Sequence, residues 1–271
     1  MNNLQYFLKS SSYILNRFVL ARKYLIGRSE KYGIEMKFKT QDGGGRKIYK
    51  KGIYEEELSD FLIENLQLED HDIILDVGAN IGWYSVLLDK NTSAHVSIYA
   101  FEPDPVNFDC LTYNILRNRC RNIQPFQKGI SDQSETKTLY LYKSSNIGRH
   151  SMLEINRGST IEVETITFDD FIEEEGLDLT KIKFLKIDIE GYEYMAFQGG
   201  KQLLSNVPFI LAEFSPEYMR KGGMEPARLL QLLRRHRYVP HLIKDNRKVE
   251  VDDATLLRRD SNVNLFWEKV R

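Results

Sequence analysis

A chain of 271 residues with 38 basic and 39 acidic side chains and a net charge of −1 fits one large α/β domain with an appendage. The charge balance argues against a generic polynucleotide binder, which carries a basic excess. No apolar run reaches the roughly 20 residues of a membrane span, and no tract is of low complexity or repeats.

In chain order, residues 3–26 set Leu4, Phe7, Leu8, Leu15, Phe18, Val19 and Ile26 at helical spacings, with Lys9, Arg17, Arg22 and Lys23 between them. They read as a basic amphipathic helix or helix pair, packed on the main domain or on a second subunit, with a peripheral membrane contact as the alternative. The segment lacks a basic leader, and Arg17 interrupts its apolar stretch. The expectation is a cytoplasmic protein with Cys110 and Cys120 reduced. Residues 33–50 read as a hairpin, GIEMKFK and RKIYK, turning at Asp42-Gly43-Gly44-Gly45. Residues 1–50 therefore form an expected N-terminal helical and hairpin extension, and residues 51–271 the main domain. A helix over Tyr54–Asn65 follows, its Glu55-Glu56-Glu57 run read as a solvated helix start.

The main domain alternates strand and helix. Strands are expected at 73–77, 96–101, 122–127, 182–188, 207–214, 238–243 and 262–268, and helices at 82–90, 105–117, 192–205 and 225–235. This pattern predicts an α/β, Rossmann-like fold: a seven-stranded, mostly parallel sheet with helices on both faces. Extra β structure is expected at 136–142 and 160–166, followed by a short helix from Phe168. The last strand comes after a turn-rich stretch without a good helix, and a short connection favours an antiparallel partner.

Ile73–Val77 runs through Asp76 into Gly78, Asn80 and Gly82, where a helix starts: strand, glycine turn, helix. A second apolar run, VSIYAFEP, ends on Glu102, placed to hold two ribose hydroxyls. The dinucleotide fingerprint is missing, because Asn80 stands where a second glycine would let a pyrophosphate approach. Asp76 adds negative charge at the pocket mouth, which suits a ligand with an amine or sulfonium. An NAD-type oxidoreductase on the same sheet and a non-catalytic binding module remain the rival readings.

The segments DVGANIGWYS (76–85), YAFEPDPVNFDCLTYNI (99–115), KGISD (128–132), FLKIDIEGYE (184–193) and LAEFSP (211–216) resemble the FkbM-type S-adenosylmethionine-dependent methyltransferases in order and spacing. The resemblance implies a class I methyltransferase fold, S-adenosyl-L-methionine as cofactor, and methyl transfer to oxygen on a sugar, glycan or natural product. It leaves the acceptor open. It also implies that Ser131 and Asp132 contact the adenine amino group, although Ser-Asp is an ordinary turn pair as well.

Methyl transfer to a hydroxyl needs alignment and a base. Candidate bases are His150, Asp188, Glu190 and Glu213. His150 lies in a polar loop with Asn146, Gly148 and Arg149; residues 144–158, with Arg157, are expected to cover the acceptor side, with His150 as the expected proton acceptor. Asp188 ends its strand and would bind the cofactor's amino group or offset sulfonium charge, with a base role second; Glu190 leaves toward the acceptor. Helix capping is the structural alternative for both. Asp188 and Glu213 could share Mg²⁺, but Glu213-Phe214 stands where metal-dependent catechol-type enzymes carry Asp-Asn, so no metal is expected. Trp83, Tyr84, Phe101 and Tyr192 line the site or belong to the core.

Overall fold

The computed structural model describes residues 3–141, 150–154 and 158–270. Helix α1 (Asn3–Ile14) runs into a π-helical turn over Leu15–Val19. An antiparallel hairpin follows, β1 (Tyr24–Ser29) with β2 (Ile34–Lys39), in the register Gly27↔Met36. The expected hairpin is thus displaced. GIEMKFK pairs with the segment before it, so Ile26 lies in a strand, and RKIYK belongs to helix α2 (Gly43–Lys51). The reason is local. The Asp42 carboxylate accepts the N–H groups of Gly44 and Gly45, Ile48 turns inward, and Gly52 closes the helix at φ +74°.

After α3 (Glu56–Asn65) come β3 (Ile73–Val77), α4 (Trp83–Asn91), β4 (Ser97–Phe101), α5 (Pro105–Arg117) and β5 (Ile123–Phe126). Asp104 caps α5 with Pro105 in its first turn, a preorganised helix start. A small sheet of β6 (Gly129–Ile130), β7 (Thr136–Tyr140) and β8 (Thr160–Ile166) interrupts the alternation. The chain continues through α6 (Phe168–Glu174), β9 (Ile182–Ile187), α7 (Glu193–Gln198), α8 (Lys201–Asn206), β10 (Phe209–Phe214), α9 (Pro216–Lys221) and α10 (Pro226–Arg235). The helix expected over 192–205 is two helices, parted at Gly199-Gly200. Last come β11 (Tyr238–Lys244), β12 (Arg247–Glu250), α11 (Asp253–Leu257) and β13 (Val263–Lys269).

The main sheet has the order β12-β11-β13-β10-β9-β3-β4-β5. Strands β5, β4, β3, β9 and β10 are parallel neighbours, and β13 is antiparallel to both β10 and β11, as expected. The sheet has eight strands rather than seven. The addition, β12, hangs on β11 through a two-residue turn at Asp245-Asn246, both at positive φ. Every residue of β12 is exposed, so it carries no alternating pattern to read.

Period-two alternation feeds two cores. Leu75, Phe101, Leu185 and Ala212 face one side, packed on α6 to α10; Ile74, Ala100, Phe184 and Leu211 face α3, α4, α5 and the β1–β2 hairpin. Strand order reverses between β3 and β9, so a crevice opens beyond the carboxyl ends of those strands.

Candidate active site

The crevice is a cavity of about 470 Å³, within the usual range for small-molecule sites. The turn after β3 forms its floor. Gly78 sits at φ +68°, and a Cβ there would stand 2.0 Å from the carbonyl oxygen of Asp188. Only glycine lets the β3 and β9 turns run this close. Asn80, at φ +53°, donates its N–H to Glu102 Oε2 at 2.8 Å, and Asp104 donates its N–H to Oε1 at 2.9 Å. Burial pushes the Glu102 carboxyl up to about 7 against the pull of these two amides. Each oxygen has taken one backbone donor and keeps capacity for another.

Asp76 does not face the cavity as the sequence reading expected. It is 1% exposed, accepts from Ser85 Oγ, and lies 3.4 Å from Lys186 Nζ. This lysine is carried by the otherwise apolar end of β9. Lys186 lines the cavity, donates to the Gly78 carbonyl at 2.8 Å, and so ties β9 to the glycine turn. Its ammonium cancels the charge assigned to the pocket mouth. Gly82 is the N-cap of α4, packed against Leu111 and outside the lining. Ser131 and Asp132 stand behind Tyr192: the tyrosine hydroxyl lies 3.2 Å from Ser131 Oγ and 3.4 Å from Asp132 Oδ1, and only the tyrosine reaches the cavity. Trp83 and Tyr84 also line it, whereas Phe101 belongs to the core.

Three acids meet on the far side. Asp188 and Glu190 leave β9, Glu213 ends β10, and one carboxylate oxygen from each lies within 4.8 Å of the others. Glu213 accepts from Ser215 Oγ, and Asn262 Nδ2 sits 3.2 Å from both its oxygens. Burial, then Asp188 and Glu190, hold its carboxyl well above the usual range. These oxygens are a donor set a hard divalent cation accepts. A cluster of acids alone does not assign a metal.

Glu193, the last residue of FLKIDIEGYE and not among the expected site residues, holds this turn in shape. Its Oε1 accepts the N–H groups of Ile189 (2.9 Å) and Gly191 (3.4 Å), which lets Glu190 sit at φ +54°. Burial pushes its carboxyl, like that of Glu102, up to about 7. An acid raised in the folded state contributes stability that is complete below its unfolded value near 4.5 and is lost as pH rises through 7. The ligand-free protein should therefore lose Tm across that window, and Glu193→Gln, which imitates the protonated acid, should flatten the slope. A pH series of thermal melts checks this; equal slopes in both proteins would assign the dependence elsewhere.

His150 reaches the cavity from the opposite side. Its Nε2 is 3.9 Å from Asp104 Oδ2, beyond the end of β4, while Glu213 is carried three strands away on β10. Burial lowers its pKa below 6.5, with Asp104 opposing. Arg149, Arg157, Asn146 and Gly148 lie outside the described residues. Glu55 contradicts its expected solvated role: it lines the cavity, accepts from Tyr84 OH, and has its carboxyl raised by burial. Arg46 and Lys47 of α2 line the cavity too, cations that the misplaced hairpin hid.

A sheet of this order, with a glycine turn after its first core strand and a buried acid after its second, defines a class I methyltransferase-like protein. The chain belongs to the FkbM methyltransferase family: the model of the methyltransferase FkbM domain matches residues 76–240. It is a methyltransferase. It is similar to the hexuronic acid methyltransferase AglP of Haloferax volcanii, 26% identical over 72% of this chain and 74% of that one. It is also similar to the 31-O-demethyl-FK506 methyltransferase FkbM of Streptomyces tacrolimicus, 28% identical over 54% of this chain and 67% of that one. A crystal structure of methyltransferase FkbM from Methylobacillus flagellatus KT superimposes with a TM-score of 0.47 at 17% identity, covering 76% of this chain and 45% of that one.

Proposed function

We propose that this protein uses S-adenosylmethionine to methylate a hydroxyl of a sugar, glycan or natural product. The observation that carries the reading is Glu102: a buried acid, oriented by two backbone amides, beside a turn too tight for any residue but glycine at 78. Its remaining acceptor capacity fits the two ribose hydroxyls of the cofactor. Asn80 argues against a pyrophosphate and hence against a nicotinamide cofactor. The relatives named for hexuronic acid and FK506 support an oxygen acceptor. Reduced Cys110 and Cys120, neither in a disulfide, fit a cytoplasmic enzyme.

When bound, the cofactor supplies a methyl group on a cationic sulfur. The chain's residues do the rest. Gly78, Asn80 and Glu102 hold the nucleoside end. Asp188 and Glu190 bring negative charge to the cavity beside β9, where it stabilises a cation and orients a hydroxyl. Glu213, whose carboxyl is held well above the usual range, is in its ionised form a stronger base than an ordinary carboxylate and takes the hydroxyl's proton. Arg46 and Lys47 suit an acidic group on a ligand. A second acceptor is His150, favoured by a ring that burial keeps neutral at working pH.

The test is calorimetric titration with S-adenosylhomocysteine and with NAD, followed by labelled-methyl transfer to uronic acid-bearing glycans. Binding of the first alone supports the cofactor, and label on oxygen supports the reaction. Binding of NAD alone would overturn both.

A further inference from the structure

Helix α1 is amphipathic the wrong way round for a helix packed on a domain. Tyr13 faces the body: it is 3% exposed, its hydroxyl donates to the Thr40 carbonyl, and Arg17 donates to that hydroxyl at 3.0 Å. Ser12 on the same side meets Tyr49 OH at 2.9 Å. The apolar stripe points outward. Leu4, Phe7 and Leu8, then Leu15, Phe18 and Val19 on the π-helical turn, are 48–70% exposed. Contiguous apolar surface of this kind marks an interaction site.

Two further observations say what covers it. Residues 3–29 contain Lys9, Arg17, Arg22, Lys23 and Arg28 and no acidic residue, in a chain whose overall net charge is −1. Beside the stripe lies a second cavity of about 450 Å³, walled by Arg22, Tyr24, Lys37, Tyr49 and Tyr113. There the Lys37 ammonium stands 4.7 Å from the ring of Tyr24 and 4.6 Å from that of Tyr113. Apolar stripe, basic flank and tyrosine rim are the composition of a surface seated at the headgroup level of a bilayer. A symmetric contact with a second copy would set this basic segment against itself. Among the described residues no helix is long and apolar enough to cross a membrane, so α1 would lie along the surface.

We propose that α1, its π-helical turn and the adjoining tyrosine groove dock the protein on an anionic lipid surface. The proposal is independent of the acceptor and of the catalytic residues. The stripe supplies apolar insertion, and the cations supply attraction that salt screens.

Cosedimentation of the whole protein with vesicles tests it. Wild type should bind vesicles containing phosphatidylglycerol, bind pure phosphatidylcholine at least tenfold less, and come off at high salt. Phe7→Glu with Phe18→Glu, and separately Arg22→Gln with Lys23→Gln, should each lower partitioning more than tenfold while methyl transfer to a soluble acceptor is unchanged. Equal binding to both vesicle types, or none, would overturn the proposal without using any variant. A concentration-dependent dimer in analytical ultracentrifugation, lost in the phenylalanine variant and accompanied by no lipid binding, would give the surface to a second copy.

Discussion

Replacing Glu102 by alanine should weaken S-adenosylhomocysteine binding about 10- to 100-fold, the effect of losing hydrogen bonds to a charged group, roughly 1.5–3 kcal/mol. Two losses combine. The ribose hydroxyls lose their acceptor, and the N–H groups of Asn80 and Asp104 lose the carboxylate that fixes the turn. Because burial holds Glu102 near 7, the ligand-free pocket is partly protonated at neutral pH, and cofactor affinity should rise as pH passes through that value. Calorimetry of wild type and variant across pH is the measurement. Unchanged affinity in the variant would remove the nucleoside from this end of the cavity.

Replacing Glu213 by glutamine should lower kcat by about 10²- to 10⁴-fold, the range for a lost general base, with cofactor affinity intact. Glutamine keeps the size of the side chain and retains an oxygen for Ser215. Glu213 accepts a proton only when ionised, and its carboxyl is held above the ordinary range, so wild-type kcat should climb with pH above that range. The variant should lose that limb. A limb that survives in Glu213→Gln and vanishes in His150→Ala would transfer the role to His150. Loss of wild-type activity in EDTA, restored by Mg²⁺, would make Glu213 a metal ligand instead.

The alternation of Ile73–Val77, Ser97–Phe101 and Ile182–Ile187 with amphipathic helices was legible because those strands bury both faces and leave a long apolar signal. Glycine 78 and Glu102 were legible because strand, turn and acid follow one another in the chain. What failed was also local in cause. Asp42 and Gly52 are helix-cap signals, yet the glycines between them read as a hairpin turn. Asp245-Asn246 is a hairpin signal whose strand, wholly exposed, showed no alternation.

The sequence by itself determined the parallel core of the sheet and the residues at its strand ends, which follow from the period of nearby side chains, while the resemblance to the family rested on its motifs. Only the tertiary structure decided which of those residues share a space. Lys186 neutralises Asp76 across two neighbouring strands, Glu55 and Arg46 reach the cavity from helices before the first core strand, and Glu213 meets Asp188 and Glu190 because β9 and β10 lie side by side. These are distances between residues far apart in the chain. Burial and charge at such distances set the protonation of Glu102, Glu193 and Glu213, and no periodicity along the chain encodes them.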